Sequence, residues 1–156
     1  MMRARTLTTR QQGFTLIELM IVVLLMAIIL GISVPGYRAY SIRAGRTDAG
    51  QALLRLAAAQ ERFYLQNGTY ASDAQLAVDP PKGLGFSNSK SEREYYDLAI
   101  TPDAGGLAVG YTATATIDTD SKQKGDDECD SFTIDQNGRR GVNGGHVAAV
   151  VEKCWR

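Results

Sequence analysis

The stretch RQQGFTLIELMIVVLLMAIILGISVPGY, residues 10–37, decides how the rest of this chain is interpreted. Within it, residues 14–34 form an almost entirely apolar run, and Glu18 lies inside that run, close to its start. A charged side chain at the centre of a membrane helix costs about 2.5–3.5 kcal/mol on insertion scales. Either the run does not span a membrane, or Glu18 has a partner that its own apolar surroundings do not supply.

The run has the length of a membrane-spanning helix, since about 20 residues cross a bilayer core of about 30 Å. An ordinary secretory signal has a shorter apolar region, of about 7–15 residues. Arg3, Arg5 and Arg10 precede the run, with no acid among them. Basic residues hold the N-terminal side in the cytoplasm, so we expect everything after Val34 to lie outside. A plain membrane anchor fits these features but explains neither Glu18 nor the junction QQGFTLIE.

The junction between the basic leader and the apolar run carries a specific motif. Gly13 is followed by Phe14-Thr15-Leu16-Ile17-Glu18 and then by the apolar run, which resembles the prepilin cleavage motif of type IV pilins and their secretion-system relatives. The resemblance implies that a prepilin peptidase cuts between Gly13 and Phe14 and methylates the new N-terminus at Phe14. It also implies that Glu18 neutralises the N-terminus of an adjacent subunit during assembly.

Electrostatics agrees with that role for Glu18. Cleavage creates an ammonium group at Phe14, and positions i and i+4 are neighbours on a helix face. At about 4 Å and an effective dielectric constant near 20, a carboxylate attracts an ammonium by about 4 kcal/mol. A subunit out of register leaves the carboxylate unpaired, so the pair would set the axial register. The sequence leaves open whether the pair forms within one chain or between chains.

A helical pattern continues beyond the apolar run. Asn67-Gly68 is typical of a helix end, so we predict one helix over residues 14–66, about 80 Å long, as in the N-terminal helix of pilins. Pro35 has no N–H for the carbonyl of Gly31, so we expect a kink or a local loss of helix between Gly31 and Gly36. In the second half, one stripe recurs at steps of three and four residues: Leu53, Leu56, Ala57, Gln60, Phe63 and Tyr64.

Four segments in the C-terminal half have strand patterns. They are residues 94–101, 107–117, 129–135 and 140–142, and Asn137-Gly138 gives a hairpin signal before the last one. We predict a meander of three or four antiparallel strands packed on the amphipathic half of the helix. Residues 67–93, with Pro80 and Pro81, form the connection from helix to sheet.

These predictions give an α+β chain with the type IV pilin fold, in five parts. Residues 1–13 are the leader, 14–34 the transmembrane and assembly helix, and 35–66 the amphipathic half of the helix. Residues 67–93 connect helix and sheet, and residues 94–156 hold the sheet and a disulfide-closed C-terminal region.

The two cysteines, Cys129 and Cys154, both lie near the C-terminus. An even count in an exported chain favours a disulfide, worth about 3 kcal/mol for a loop of about 25 residues. The other interpretation is two unrelated buried thiols. The helix stretch RTDAGQALLRLAAAQERFYLQNGTYAS, the turn TIDQNGRRG and the ending Cys154-Trp155-Arg156 resemble PilE-like minor pilins. That resemblance implies the same cysteine pairing.

The charge balance argues against general affinity for nucleic acids. The chain has 17 basic and 17 acidic residues, and without the leader 14 basic residues face 17 acidic ones. DNA binding is the weaker interpretation because acids are interleaved with the bases and no regular aromatic stripe accompanies them. Six bases in the C-terminal part are candidates for contacts with DNA phosphates: Lys122, Lys124, Arg139, Arg140, Lys153 and Arg156.

The acid-rich stretch DTDSKQKGDDECD, residues 118–130, invites a calcium interpretation. The EF-hand pattern fails because Lys122 stands where an oxygen ligand is needed and Lys124 adds a second cation. His146 alone cannot make a zinc site and is expected in a surface loop. No nucleophile–base pair or phosphate loop is visible either, so we expect no metal, no cofactor and no catalysis.

The sequence therefore predicts a structural subunit of the type IV pilus, more specifically a minor pilin, acting in twitching motility, adhesion and DNA uptake. The expected partners are other pilin subunits, the prepilin peptidase/methyltransferase and the inner-membrane assembly platform. The precursor would span the inner membrane once, with its N-terminus cytoplasmic and its globular part periplasmic, before it enters the extracellular pilus. The alternatives are a type II secretion pseudopilin, which the cysteine pair disfavours, and a DNA-binding receptor pilin.

Overall fold

The computed structural model describes residues 13–156, with side chains for all of these except residues 32–35. Apart from Gly13, the predicted leader lies outside the described residues. The chain divides into a first unit that ends at Arg38 and a second unit, Ala39–Arg156. The elements are helix α1 Leu16–Asn67, a 3-10 turn Asp73–Gln75, strands β1 Tyr96–Pro102, β2 Tyr111–Ile117, β3 Ser131–Asp135 and β4 Arg140–Val142, and helix α2 Ala148–Cys154.

Helix α1 supplies nearly all of the described first unit. Its most apolar 18-residue window has a mean hydropathy of 2.8 and no buried residues, so its length and composition suffice to cross a membrane. The backbone is helical throughout residues 31–36, so the local loss of helix considered there does not occur. The kink expected from Gly31 and Pro35 stays a prediction.

In the second unit, α1 buries the stripe that its periodicity predicted. Leu53, Leu56 and Gln60 are completely buried and Phe63 nearly so, while Ala57 and Tyr64 are partly buried. These residues belong to one core with the inward-facing side chains of the sheet. Burial of large apolar side chains contributes about 1.5–3 kcal/mol each, which holds this part of the helix on the sheet.

The sheet is the predicted meander. Its strand order is β1-β2-β3-β4 with every neighbouring pair antiparallel, and Leu98 lies opposite Ala115. Along β1 the side chains of Tyr96, Leu98 and Ile100 are buried and those between them are exposed. This period of two places one face of the sheet on the helix.

The strands begin later than predicted, for local reasons. The strand predicted over 94–101 begins at Tyr96, because Glu94 has a positive φ of 57° that ends extended pairing. The one predicted over 107–117 begins at Tyr111, because Gly106, with φ of 80°, places Leu107 in the preceding turn. The one predicted over 129–135 begins at Ser131. Strand β4 has the predicted bounds.

The C-terminus contains a short helix that the sequence did not predict. Helix α2 ends at Cys154, which forms a disulfide with Cys129, so the predicted pairing is confirmed. Trp155 follows, packs edge-on against Phe132 and donates its indole N–H to the carbonyl of Gly141 at 3.1 Å. The disulfide and this aromatic contact fasten α2 to the sheet.

Candidate functional site

The predicted assembly residues lie at the start of α1. Thr15 Oγ1 accepts a hydrogen bond from the backbone N–H of Glu18 at 3.3 Å, which is one half of the capping box encoded by T-L-I-E. This cap begins the helix at Leu16 rather than Phe14 and places Glu18 in its first turn. The positive end of the helix dipole lies there and favours a carboxylate.

The side chains around Phe14 and Glu18 are exposed in the single chain. The side chain of Phe14 is 85% exposed, and the apolar side chains that follow it up to Leu30 are exposed as well. A contiguous apolar surface of this kind marks a membrane or protein contact. A Cβ added at Gly13 would meet nothing within 4 Å, so nothing in the described fold requires glycine at that position.

A second site joins α1 to the β2–β3 connection, residues 118–130. Arg46 donates from Nε and Nη2 to the two carboxylate oxygens of Asp126, both at 2.6 Å, and the pair is almost completely buried. A bidentate guanidinium–carboxylate pair combines charge attraction with fixed orientation. This pair therefore fixes both the position and the direction of the connection on the helix.

Gln123 adds a second attachment beside the pair. Its Nε2 donates to the carbonyl of Ile42 at 2.7 Å and to Asp126 Oδ2 at 3.3 Å. A side chain at Gly45 would overlap the Gln123 carboxamide, so glycine permits this close approach. We call Arg46, Gln123 and Asp126 the clamp.

Glu128 links the clamp to the disulfide region. Its carboxylate accepts from Lys153 at 2.8 Å and from Arg46 at 3.3 Å. Hydrogen bonds from Lys153 and Arg46 hold the pKa of Glu128 below its usual value. Asn143 donates to the Glu128 carbonyl at 3.1 Å. Helix α1, helix α2 and the segment after β4 thus meet at one residue next to Cys129.

At the other end of the connection, Asp118 pairs with Lys90. The hydrogen bond from Lys90 holds the pKa of Asp118 below its usual value. Lys90 also lies 3.5 Å from the carboxylate of Asp97, so it joins the helix-to-sheet connection to the edge of the sheet. Three of the six acids in residues 118–130 are therefore engaged by bases from elsewhere in the chain.

Three of the acids in this stretch thus have partners within the fold. Among residues 13–156, no three His, Cys, Asp or Glu side chains are grouped so that they could hold a metal ion. The three acids without an ion pair, Asp120, Asp127 and Asp130, are exposed. Asp118, Asp126 and Glu128 serve as attachment points to other parts of the fold.

The structure does not bring the six candidate DNA-contacting bases together. Lys122 and Lys124 are exposed in the β2–β3 connection, whereas Arg139 lies in the β3–β4 turn at the opposite end of the sheet. Arg140 stacks over the ring of Trp155, with its Cζ atom 4.8 Å from the ring centroid.

The other two bases form local ion pairs. Lys153 bonds Glu128, and Arg156 bonds Glu152 within one helical turn. His146 is exposed, with Nδ1 2.9 Å from the carbonyl of Arg140, as the prediction of a surface loop requires. Two pairs of these bases are thus exposed and near in sequence, Lys122 with Lys124 and Arg139 with Arg140.

Comparison with known proteins identifies the family. Residues 35–133 match the family model described as type IV minor pilin ComP, DNA uptake sequence receptor. Residues 8–34 match the model of the prokaryotic N-terminal methylation motif. The chain belongs to the type IV minor pilin family. The predicted family and its minor-pilin class are thereby confirmed.

Similar proteins include pilins from several bacteria. The chain is 34% identical over 116 residues to the type IV major pilin PilA of Myxococcus xanthus, covering 74% of this chain and 49% of PilA. It is 36% identical over 118 residues to a fimbrial protein of Neisseria meningitidis, covering 76% of this chain and 65% of that protein. This minor pilin thus spans between half and two thirds of the length of these relatives.

A solved type IV pilin from Shewanella oneidensis is 26% identical, with a TM-score of 0.45, covering 69% of this chain and 98% of that one. The methylation motif implies processing by a prepilin peptidase.

Proposed function

We propose that the mature chain is a structural, non-enzymatic subunit of the type IV pilus. As a minor pilin it assembles through its N-terminal helix into surface filaments for twitching motility, adhesion and DNA uptake. The observation that carries the proposal is the uncovered apolar helix that begins at Leu16, three residues after Gly13, with Glu18 in its first turn. Membership of the pilin family supports the same function.

Cleavage between Gly13 and Phe14, with methylation of Phe14, is part of the proposal. The methylation-motif match spans this junction, and the described fold itself does not need glycine at position 13. A requirement for glycine at position 13 would therefore come from recognition by the peptidase and not from the fold. The precursor is held with its N-terminus in the cytoplasm and its globular part in the periplasm, next to the assembly platform.

Glu18 acts as the docking charge in this mechanism. The capped first turn presents its carboxylate beside the apolar surface, where an ammonium at Phe14 of an adjacent subunit neutralises it. Correct axial register then pairs the two charges, and any other register leaves a carboxylate in a low-dielectric environment.

The experiment replaces Glu18 by valine in the native host. Glu18→Val should insert and be processed normally, because removing the charge eases insertion, yet assemble poorly. Met20→Val is the matched control, since it places the same side chain in the same segment without removing a charge. The measurements are mass spectrometry of the processed N-terminus and the amount of the subunit in sheared surface fibres. Glu18→Val at the control level in those fibres would contradict the docking role.

Two further measurements distinguish a minor pilin from a major pilin and from a type II secretion pseudopilin. Quantitative mass spectrometry of sheared pili gives the ratio of this subunit to the others, and a minor pilin should be a small fraction. Deletion of the chain should impair twitching. Lost secretion with normal twitching would show a type II secretion pseudopilin instead.

A DNA receptor is the second candidate function, and one observation favours it. The family model described as a DNA uptake sequence receptor matches residues 35–133, which include the whole β2–β3 connection. Lys122 and Lys124 are the exposed bases of that connection; three of its acids are paired with other bases, while Asp120, Asp127 and Asp130 are exposed. We therefore assign phosphate contacts to these two lysines.

The test is a salt titration of the full processed protein in detergent micelles with a labelled DNA duplex. Phosphate contacts release counterions, so the double variant Lys122→Ala/Lys124→Ala should lower the slope of log affinity against log salt by about 2. Absence of binding by the unaltered protein at low salt would remove this candidate and leave the structural function intact.

A further inference from the structure

We propose that the clamp of Arg46, Gln123 and Asp126 is a positioning device for DNA contact, which holds the β2–β3 connection so that Lys122 and Lys124 face the duplex. The proposal rests on the second candidate function above. It assigns a role to a buried charge pair that is separate from the docking charge proposed at Glu18. It also explains why an acid-rich segment occurs within the part of the chain that matches a DNA receptor family.

The connection alternates between inward and outward side chains over five residues. Gln123 and Asp126 are buried on α1, with 2% and 3% of their surfaces exposed, while Lys122 and Lys124 are exposed. Because Gln123 lies between the two lysines and Asp126 follows them by two residues, fixing the two buried side chains restricts the directions that Lys122 and Lys124 can take. The backbone bonds Lys124 N–H to Ser121 O and Asp126 N–H to Gln123 O keep this segment in tight turns.

The clamp supplies most of the polar attachment of this segment to the helix. The two bonds at 2.6 Å from Arg46 and the bond at 2.7 Å from Gln123 join the connection to a single turn of α1. Removing one member of a buried ion pair leaves the other charge buried and unpaired, which favours release of the segment into water. A released segment must be ordered again when it binds, so the affinity falls.

The clamp also changes the charge that DNA would meet. Asp126 is buried under Arg46 and Glu128 is paired with Arg46 and Lys153, so the unpaired anions of the connection are the exposed Asp120, Asp127 and Asp130. Freed from the clamp, Asp126 would reach solvent next to Lys124 and repel phosphate. Order and electrostatics therefore act in the same direction.

Three variants of the full processed protein in detergent micelles test the role, with a fluorescent DNA duplex as the probe. Arg46→Met leaves Asp126 unpaired, whereas Arg46→Met/Asp126→Leu replaces the pair by apolar side chains of similar size, a change that buried pairs tolerate. Arg62→Met is the matched control, because Arg62 is an exposed arginine of the same helix. Amide hydrogen exchange of residues 121–126 is measured on each variant.

We expect Arg46→Met to bind the duplex about tenfold or more weakly, with faster exchange in residues 121–126. The affinity of the double variant should return to within about threefold of that of the unaltered protein, and the affinity of the control should stay within about twofold. Both differences are smaller than the tenfold loss expected for Arg46→Met. Equal affinities of Arg46→Met and Arg62→Met overturn the positioning role while leaving DNA binding standing. Weak binding by the double variant despite restored protection of these amides overturns it too. No binding by the unaltered protein overturns both the DNA receptor function and this role.

Discussion

Gln60 is a polar residue in the middle of the buried helix stripe, and its replacement tests how the helix end is held. Its Nε2 donates to the carbonyl of Ala71 at 2.9 Å, and its Oε1 accepts from the N–H of Ala71 at 2.8 Å. Gln60 and Ala71 are both completely buried. One carboxamide therefore satisfies both backbone groups of a residue beyond the helix end, as a neighbouring strand would.

Gln60→Leu removes both bonds while keeping a side chain of similar size. Each buried backbone group left without a partner costs about 1–3 kcal/mol, so the variant should lose about 2–6 kcal/mol. A protein of this kind has about 5–15 kcal/mol in all, so the loss is a large fraction. At about 4 °C per kcal/mol, the unfolding midpoint should fall by about 8–24 °C.

The assay is thermal unfolding of the processed protein in detergent, followed by near-ultraviolet circular dichroism. Gln66→Leu is the matched control because Gln66 is exposed on the same helix and undergoes the same chemical change. Its midpoint should shift by no more than about 2 °C, as is usual for surface substitutions. If the midpoints of the two variants agree within that margin, the bonds to Ala71 do not hold the helix end.

Other regions of the second unit give three further predictions. Replacing Cys129 and Cys154 by serine should cost about 3.5 kcal/mol, measured by denaturant unfolding, since the disulfide closes a loop with a sequence separation of 25. The pKa of Asp118 is lowered by Lys90, so its contribution is present above the unfolded pKa near 4 and is lost as pH falls through the folded pKa. Asp118→Asn should therefore flatten the fall in unfolding midpoint between about pH 5 and 3, and an unchanged profile would contradict the pairing. Burial raises the pKa of Tyr111, so its stabilisation holds below about pH 10 and fades above it. Burial raises the pKa of Tyr96 as well, so Tyr111→Phe should reduce the latest phase of an absorbance titration at high pH by about half.

The helix and the meander could be predicted from the sequence because both rest on local periodicity. The buried stripe through Leu53, Leu56 and Phe63 repeats every three to four residues, and β1 alternates strictly. The predicted starts of α1 and β1 were wrong where a single residue ends the regular pattern. Thr15 caps the helix two residues into the apolar run, and Glu94 closes a turn inside an apparent strand.

The clamp could not be predicted because no local signal links its members. Arg46 and Asp126 are separated by 80 residues, and each looks like a solvated charge in its own segment. Asp126 even belongs to a stretch whose composition points to calcium. Helix α2 was missed for a related reason. Its seven residues are too short to show a helical period, and the disulfide and Trp155 hold it.

The two buried-charge problems of this chain have opposite solutions, and the contrast supports the role proposed for Glu18. Asp126 is neutralised inside its own fold by Arg46. Between Phe14 and Tyr37 the sequence contains no lysine, arginine or histidine, so no side chain of that segment can do the same for Glu18. The remaining cation is the amine that cleavage after Gly13 would create. An uncleaved subunit lacks that amine, and its Glu18 stays unneutralised in the apolar environment of a filament core. Processing would then be a chemical requirement for assembly as well as the removal of a leader, since it supplies the positive charge that docking needs.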